Sequence, residues 1–236
     1  MPDAFQISRR SGWSVFNLLW KTAAGIILVT AVIVLALRWV PPPTSAFMLQ
    51  QRLSGIGVDY RWTPMDRISP HAALAVIASE DQNFFDHWGV DLKAIVEAFK
   101  DNRTRRHPRG GSTISQQVVK NLFLWPGRSY VRKGIEVYFT LLMEILWPKT
   151  RILEVYLNIA EMGSGVFGAE AAGQRFFHKP ASRLNQREAA TLAAVLPSPK
   201  RMLADRPSDY VIRRTWQIIE QMHALGGIDL LKQNGY

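Results

Sequence analysis

Two stretches of this sequence place carboxylates where they could do acid–base work. The first is Glu80-Asp81-Gln82-Asn83-Phe84-Phe85-Asp86-His87-Trp88-Gly89, where an apolar segment ends on two acids, then aromatics, then a histidine. Aromatic surroundings disfavour the charged form of a carboxylate, which suits it to proton transfer. Acids at a helix C-terminus also oppose the helix dipole, so the placement is locally unfavourable. That tilts the reading toward function and away from a merely solvated helix end. His87 alone reads as a structural histidine, and its spacing from the acids matches no zinc pattern, so no metal ligand is assigned.

The second stretch is Arg128, Arg132 and Glu136, spaced i, i+4, i+8, with Lys133 adjacent. On a helix these form one stripe. Arginine forks suit phosphate, and the cations would hold the glutamate ionised. From spacing alone, a surface ion-pair ladder is the more economical account. Between the two lies Gly110-Gly111-Ser112-Thr113-Ile114-Ser115-Gln116-Gln117. Glycines ahead of a capped helix expose backbone N–H groups to an anion, although the Lys-Ser/Thr ending of a nucleotide loop is missing. Alone it is an ordinary loop-to-helix junction. Lys120 follows Gln116 by one turn, on the same face.

The elements that must position these groups read as helices. Ser69-Pro70 opens one that runs to about Glu80. Further helices are expected over Asp91–Lys100, from Ser112 or Thr113 to the Pro126-Gly127 break, and from about Ser129 to Trp147. Another is capped by Thr150. The last three cover about 169–177, 185–196 and 209–225. Gly163, Gly165 and Gly168 mark a turn-rich loop. No strand series alternates convincingly, so the fold class is mainly α.

Composition narrows the partners. The chain has 236 residues, no cysteine and a formal net charge of +10. Without cysteine there is no disulfide frame, Cys-zinc site or thiol nucleophile. A basic balance implies an anionic partner: nucleic acid, phosphorylated substrate or anionic lipid. Residues 18–40 are nearly all apolar, interrupted by Lys21 and Arg38 and flanked by Trp13, Trp20 and Trp39. They read as a transmembrane helix with interfacial aromatics. Arg9, Arg10 and Lys21 put residues 1–17 in the cytoplasm by the positive-inside rule, and the rest outside. A cleaved signal peptide is the alternative, with Thr44-Ser45-Ala46 as a passable site, but three prolines precede it and the apolar run is long. Residues 41–49 read as a stiff linker and 50–236 as the functional domain. Beyond residue 40, 25 Lys and Arg stand against 18 Asp and Glu, leaving +7.

Taken together, two glutamates in unlike settings suggest glycosidic-bond chemistry, and cations between them suggest a phosphate leaving group. The motifs resemble those of the peptidoglycan glycosyltransferases, the family shared with class A penicillin-binding proteins. Glu-Asp-x-x-Phe-x-x-His-x-Gly stands complete at 80–89, and Gly-Gly-Ser-Thr-Ile-x-Gln-Gln at 110–117. Arg-Lys-x-x-Glu follows at 132–136 and Lys-x-x-Ile-Leu-Glu-x-Tyr-Leu-Asn at 149–158. Gly-Ala-x-x-Ala-Ala-x-x-Tyr-Phe runs over 168–177 with Gly173 in place of the second Ala of the pair and Phe176 in place of Tyr.

The resemblance covers roughly residues 50–225. It implies a lysozyme-like, mainly α, two-lobed domain with a membrane-proximal hydrophobic region. The implied reaction is processive, inverting polymerisation of glycan strands from lipid II with release of undecaprenyl pyrophosphate. It implies Glu80 as general base and Glu136 at the phosphate-binding region or assisting the leaving group. Lys120, Arg128, Arg132 and Lys133 would hold pyrophosphate charge, with Asp81, Ser112, Thr113, Gln116 and Gln117 around the substrate. Phe84, His87 and Lys149 would be structural supports. No cofactor is required; a divalent cation such as magnesium at the pyrophosphate is compatible, with no ligand assigned. Expected partners are lipid II, the growing strand, the inner membrane and other cell-wall synthases, but not nucleic acid. No Ser-x-x-Lys or Lys-Thr-Gly motif occurs, so peptide crosslinking is not expected. Two rival readings remain: a lysozyme-like glycan hydrolase, which needs no pyrophosphate cations, and a non-catalytic scaffold, which needs no paired glutamates.

Overall fold

The computed structural model describes residues 8–91, 111–127 and 129–236. The helix expected over Asp91–Lys100 falls almost wholly outside them. The chain divides into two compact units, Met1–Val40 and Pro41–Tyr236.

The first unit is one helix, α1 (Ser8–Leu37), longer at its N-terminal end than the apolar run and ending before Arg38. Its segment Phe16–Leu37 has 22 residues and is long and apolar enough to cross a membrane. At 1.5 Å per residue it spans about 33 Å, the thickness of a bilayer's hydrocarbon core. Leu18, Leu19, Trp20, Ile26 and Leu28 all lie exposed along it. Thr22 and Thr30 donate their hydroxyls back to the carbonyls of Leu18 and Ile26, at 2.8 and 2.9 Å. The two polar side chains are thereby satisfied within the helix, as a hydrocarbon surrounding demands.

The second unit begins with Ser45 capping α2 (Ala46–Leu53). This helix therefore starts within the stretch 41–49 read as a linker. A short strand, β1 (Asp59–Tyr60), precedes α3 (Pro70–Glu80), where Ser69 accepts the His71 N–H and Pro70 opens the first turn. Then come α4 (Ile114–Phe123), α5 (Tyr130–Leu146) and α6 (Lys149–Ile159). The cap of α6 is Pro148, not Thr150: its fixed φ starts the helix without a side-chain cap.

The glycine-rich loop contains a hairpin, β2 (Glu161–Gly163) and β3 (Val166–Phe167). The sheet order is β1-β3-β2, with β1 parallel and β2 antiparallel to β3. Strands of two or three residues are too short to show alternation in sequence. The chain finishes with α7 (Gly168–Phe177), α8 (Gln186–Val195), α9 (Asp209–Ala224) and α10 (Ile228–Gln233).

Two helix groups meet at the end of α3. Residues Ala72 to Ala78 are all buried, because α3 packs on α8 and α9. Four alanines in each of α3 (72, 73, 75, 78) and α8 (189, 190, 193, 194) keep side chains short between them, which lets the helices approach closely. On the other side, α4 packs on α5 and α6. Ile114, Met143, Ile152 and Tyr156 are fully buried.

Candidate active site

The helix α3 stops at Glu80 because Asp81 leaves helical backbone space, at φ −159° and ψ 76°. The turn that follows is wired to two other helices. His87 Nδ1 accepts the Gly89 N–H at 3.0 Å, which puts the ring proton on Nε2 in the neutral tautomer. Nε2–H then donates to the Asp81 carboxylate, 2.9 and 3.1 Å from its two oxygens. Asp81 Oδ2 also accepts the Ile114 N–H at 3.0 Å. A carboxylate thus meets the positive end of α4 and ties it to the end of α3. Thr113 donates its hydroxyl to the Gly89 carbonyl at 2.6 Å and forms a capping box with Gln116.

Lys149 closes the turn from α6. Its Nζ donates to the His87 carbonyl at 2.7 Å and to Glu144 Oε1 at 2.9 Å, and lies 4.7 Å from the Phe84 ring centre. Ser115 donates to the same Glu144 oxygen. Gly89 has φ +74°, and a Cβ there would sit 2.5 Å from Thr140 Cγ2. Only glycine allows both that backbone and that approach to α5.

Asp81, Thr113 and Gln116, expected around the substrate, are buried, and the Asp81 carboxylate, the Thr113 hydroxyl and the Gln116 amide oxygen take part in a brace formed by the turn and the α4 cap. Phe84, His87 and Lys149 belong to the same brace. Ser112 is exposed at the mouth of α4. Arg128 lies outside the described residues, and α5 starts only at Tyr130, capped by Ser129.

What the brace presents is Glu80. Its Oε2 accepts Gln117 Nε2–H at 2.8 Å, and Tyr156 Oη lies 3.2 Å from Gln117 Oε1. Burial pushes the Glu80 carboxyl above the ordinary carboxylate range. The Gln117 bond opposes this, then the positive charges of Arg214 and Lys120, while Asp81 adds to it. Burial holds the Tyr156 phenol well above its usual range, with the charges of Glu80 and Asp81 reinforcing it. Tyr156 therefore stays protonated, donates to the Gln117 carbonyl oxygen and leaves the amide N–H for Glu80.

Glu136 has the opposite setting. It is only 3 % exposed, yet both oxygens meet cations: Arg132 Nη1 at 2.9 Å and Lys133 Nζ at 2.6 Å. Lys120 senses both carboxylates. Burial lowers its pKa, while Glu136 most strongly, and Glu80 too, favour its charged form. The Nε of Arg132 is buried and has no hydrogen-bond partner among the described residues. A buried unpaired donor on a guanidinium is costly and points to an anion that completes it.

One side-chain ligand atom from each of Asp81, His87 and Asp91 lies within 4.8 Å of the other two. They do not fit a magnesium site. Asp81 already accepts two N–H groups, and Asn83 Nδ2 donates to Asp91 at 2.9 Å. The group is a hydrogen-bonded brace, whereas magnesium requires free oxygen ligands in octahedral array.

Two contributors had little or no sequence signal. Tyr156 stands in the 149–158 motif and on an apolar helix face, with no role assigned to it from the sequence. Arg214, on α9, reaches across to the Ser79 carbonyl at 3.4 Å, 135 residues away, beside Glu80.

Comparison with known proteins shows the family. Residues 50–223 match the transglycosylase family model. A Yersinia pestis (strain Pestoides F) protein named biosynthetic peptidoglycan transglycosylase is 49% identical, over 97% of this chain and 98% of its own length. A protein of the same name from Pseudomonas syringae pv. syringae (strain B728a) is 51% identical, over 91% of this chain and 92% of its own. One from Ectopseudomonas mendocina (strain ymp) is 49% identical, over 93% of both. By its motifs, its helical site and its match along most of its length, this chain belongs to the transglycosylase family.

Proposed function

We propose that this enzyme polymerises peptidoglycan glycan strands from lipid II, and that Glu80 and the cations around Glu136 divide the work. The 4-hydroxyl oxygen of one lipid II attacks the anomeric carbon of the growing strand and inverts it. Its proton passes to a Glu80 carboxylate oxygen. The bond from the anomeric carbon to the pyrophosphate oxygen breaks, and its electron pair leaves with undecaprenyl pyrophosphate. Lys120, Arg132 and Lys133 hold the charge that develops there. Glu136, with both oxygens engaged, positions Arg132 and Lys133 and does not itself take the proton. Gln117 and Tyr156 orient Glu80. No step requires a metal or cofactor.

The observation that carries this reading is that one site holds both the buried Glu80 and, on Arg132, a buried Nε donor without a partner among the described residues. Hydrolysis of a neutral glycosidic bond would need the first but not the second. The membrane setting supports it as well. The apolar segment of α1 would anchor the chain in the inner membrane, with residues 1–17 cytoplasmic and the catalytic domain outside. On α5, which carries Glu136, the outward Tyr130, Val131, Leu141 and Ile145 are exposed. Such an apolar ridge suits a lipid surface and a lipid-borne substrate. Other cell-wall synthases are the expected protein partners. A basic domain outside the cytoplasm has no nucleic acid to meet, and glycan polymerisation is its sole chemistry, without transpeptidation.

The test is conversion of labelled lipid II to polymer by purified detergent-solubilised protein. Wild type is expected to polymerise, and Glu80→Gln to lose about 10²–10⁴-fold in rate at an unchanged melting temperature. A folded Glu80→Gln protein that polymerises like wild type would sink the mechanism.

A further inference from the structure

We propose that a groove on α9, running from Arg214 toward Ala224, binds the neutral, N-acetylated sugar chain of the growing strand. This rests on the polymerase reading and extends it to a part of the substrate remote from the phosphate.

The groove has a volume of about 420 Å³ and is lined by Arg214, Gln217, Glu220, Gln221 and Ala224. Residues 214, 217, 221 and 224 are spaced three, four and three apart, so they share one helical face. Its upper end is fixed relative to the chemistry. Arg214 contacts the Ser79 carbonyl, one residue before Glu80, and its charge is felt by the Glu80 carboxyl. The groove therefore starts beside the reacting centre.

Its chemistry differs from that of the cation set. One Arg and one Glu offset each other, and the remaining polar groups are two carboxamides. That is the wrong surface for a pyrophosphate and a suitable one for hydroxyl and acetamido groups, which donate and accept singly. Gln221 adds a second observation. Its Oε1 is buried without a hydrogen-bond donor among the described residues. A buried acceptor in that state is an unmet demand for an O–H or N–H.

Position completes the argument. Glu80 is flanked by Gln117 and Lys120 of α4 and by Arg214 of α9. The phosphate end of the strand belongs with the cations of α4 and α5. A neutral polymer that stays bound between additions needs contacts elsewhere, and the α9 face offers a polar groove whose Arg214 end neighbours Glu80.

The experiment uses full-length Glu80→Gln protein in detergent, so that turnover is suppressed. The probe is a lipid-free, peptide-free oligosaccharide of β-1,4-linked N-acetylated hexosamines, followed by saturation-transfer NMR and titration. Binding is expected, and Gln217→Ala with Gln221→Ala should weaken it about ten-fold, the effect of losing two neutral hydrogen bonds. The double variant should melt within about 2 °C of its parent, since neither change creates a core cavity. No binding by the parent, equal binding by the double variant, or capture of a free stem peptide in place of the sugar would overturn the proposal. Its failure is separable from that of the polymerase reading, because polymerisation of lipid II by the wild type is measured independently.

Discussion

Replacing Gly89 by alanine tests whether the turn after α3 is held as rigidly as its contacts imply. The new Cβ would lie 2.5 Å from Thr140 Cγ2 and 2.9 Å from Glu144 Cγ, at a backbone φ of +74°. The left-handed conformation alone costs a non-glycine residue about 1–2 kcal/mol. Overpacking adds about 1–3 kcal/mol. Neither neighbour can yield cheaply. Thr140 donates its hydroxyl to the Glu136 carbonyl at 2.7 Å, so turning the methyl away breaks a buried bond. Glu144 is held by Ser115 and Lys149. Relief must come from the turn moving off α5, which carries Glu80 with it. The expected loss is about 2–5 kcal/mol, or roughly 5–15 °C in melting temperature for a domain of this size. Polymerisation should fall with it. Gly134, inside α5 with nothing within 4 Å of its would-be Cβ, is the matched control. Gly134→Ala should stabilise by about 1 kcal/mol, as alanine favours the helix. Tryptophan fluorescence during heating reads both. A Gly89→Ala protein that melts with the wild type would refute the argument, since it would mean the turn accommodates a methyl group at no cost.

Two further changes probe the site's wiring. Arg214→Gln removes one of the charges that oppose the burial of Glu80; Gln117, Lys120, Asp81 and Tyr156 remain around it. The carboxyl should rise further, and because the base must be ionised, the acid limb of kcat against pH should move to higher pH. Arg214→Lys should restore it, and an acid limb that stays put or moves lower contradicts the assignment. Lys149→Met strips the cation from buried Glu144 and the donor from the His87 carbonyl. Breaking a buried pair from one side should cost about 3 kcal/mol, and thermal unfolding within 2 °C of wild type would show that Ser115 alone suffices.

Much of the local structure was legible because its causes are local. Ser69-Pro70 starts α3, Thr113 and Gln116 box the start of α4, and Asn185 caps α8 where the pattern turned helical. Glu80 and Glu136 stood out because both lie in dense runs of polar and aromatic residues. What sequence could not supply was wiring between distant positions. Asp81 meets Ile114 across 33 residues, and Arg214 meets Ser79 across 135. Nothing in the composition near Asp81 distinguishes a brace from a substrate contact: the type of residue is the same, and only the partner decides. The start of α2 at Ala46 has a weaker sequence signal than the three prolines just before it. Arg128 and residues 92–110 lie outside the described residues, so the expectations placed on them remain sequence readings.

The two glutamates show why identity of side chain says little about role. Glu136 has a cation on each oxygen, so a proton arriving there would displace an existing partner. Glu80 has one neutral donor, Gln117, and a buried setting that favours the protonated form. In the proposed reaction the proton of the attacking hydroxyl therefore goes to Glu80 and not to Glu136. Lys120 connects the two, because its charge is stabilised by Glu136 and, to a lesser degree, by Glu80. On the proposed mechanism, protonation of Glu80 removes a negative charge from the neighbourhood of Lys120 as the departing pyrophosphate acquires one. The ammonium exchanges one anionic partner for another without moving, and the Arg132 Nε donor, which has no partner among the described residues, gains one in the same step. Such a site favours the charge distribution of the transition state over that of the bound substrate, which is the condition for accelerating the chemical step.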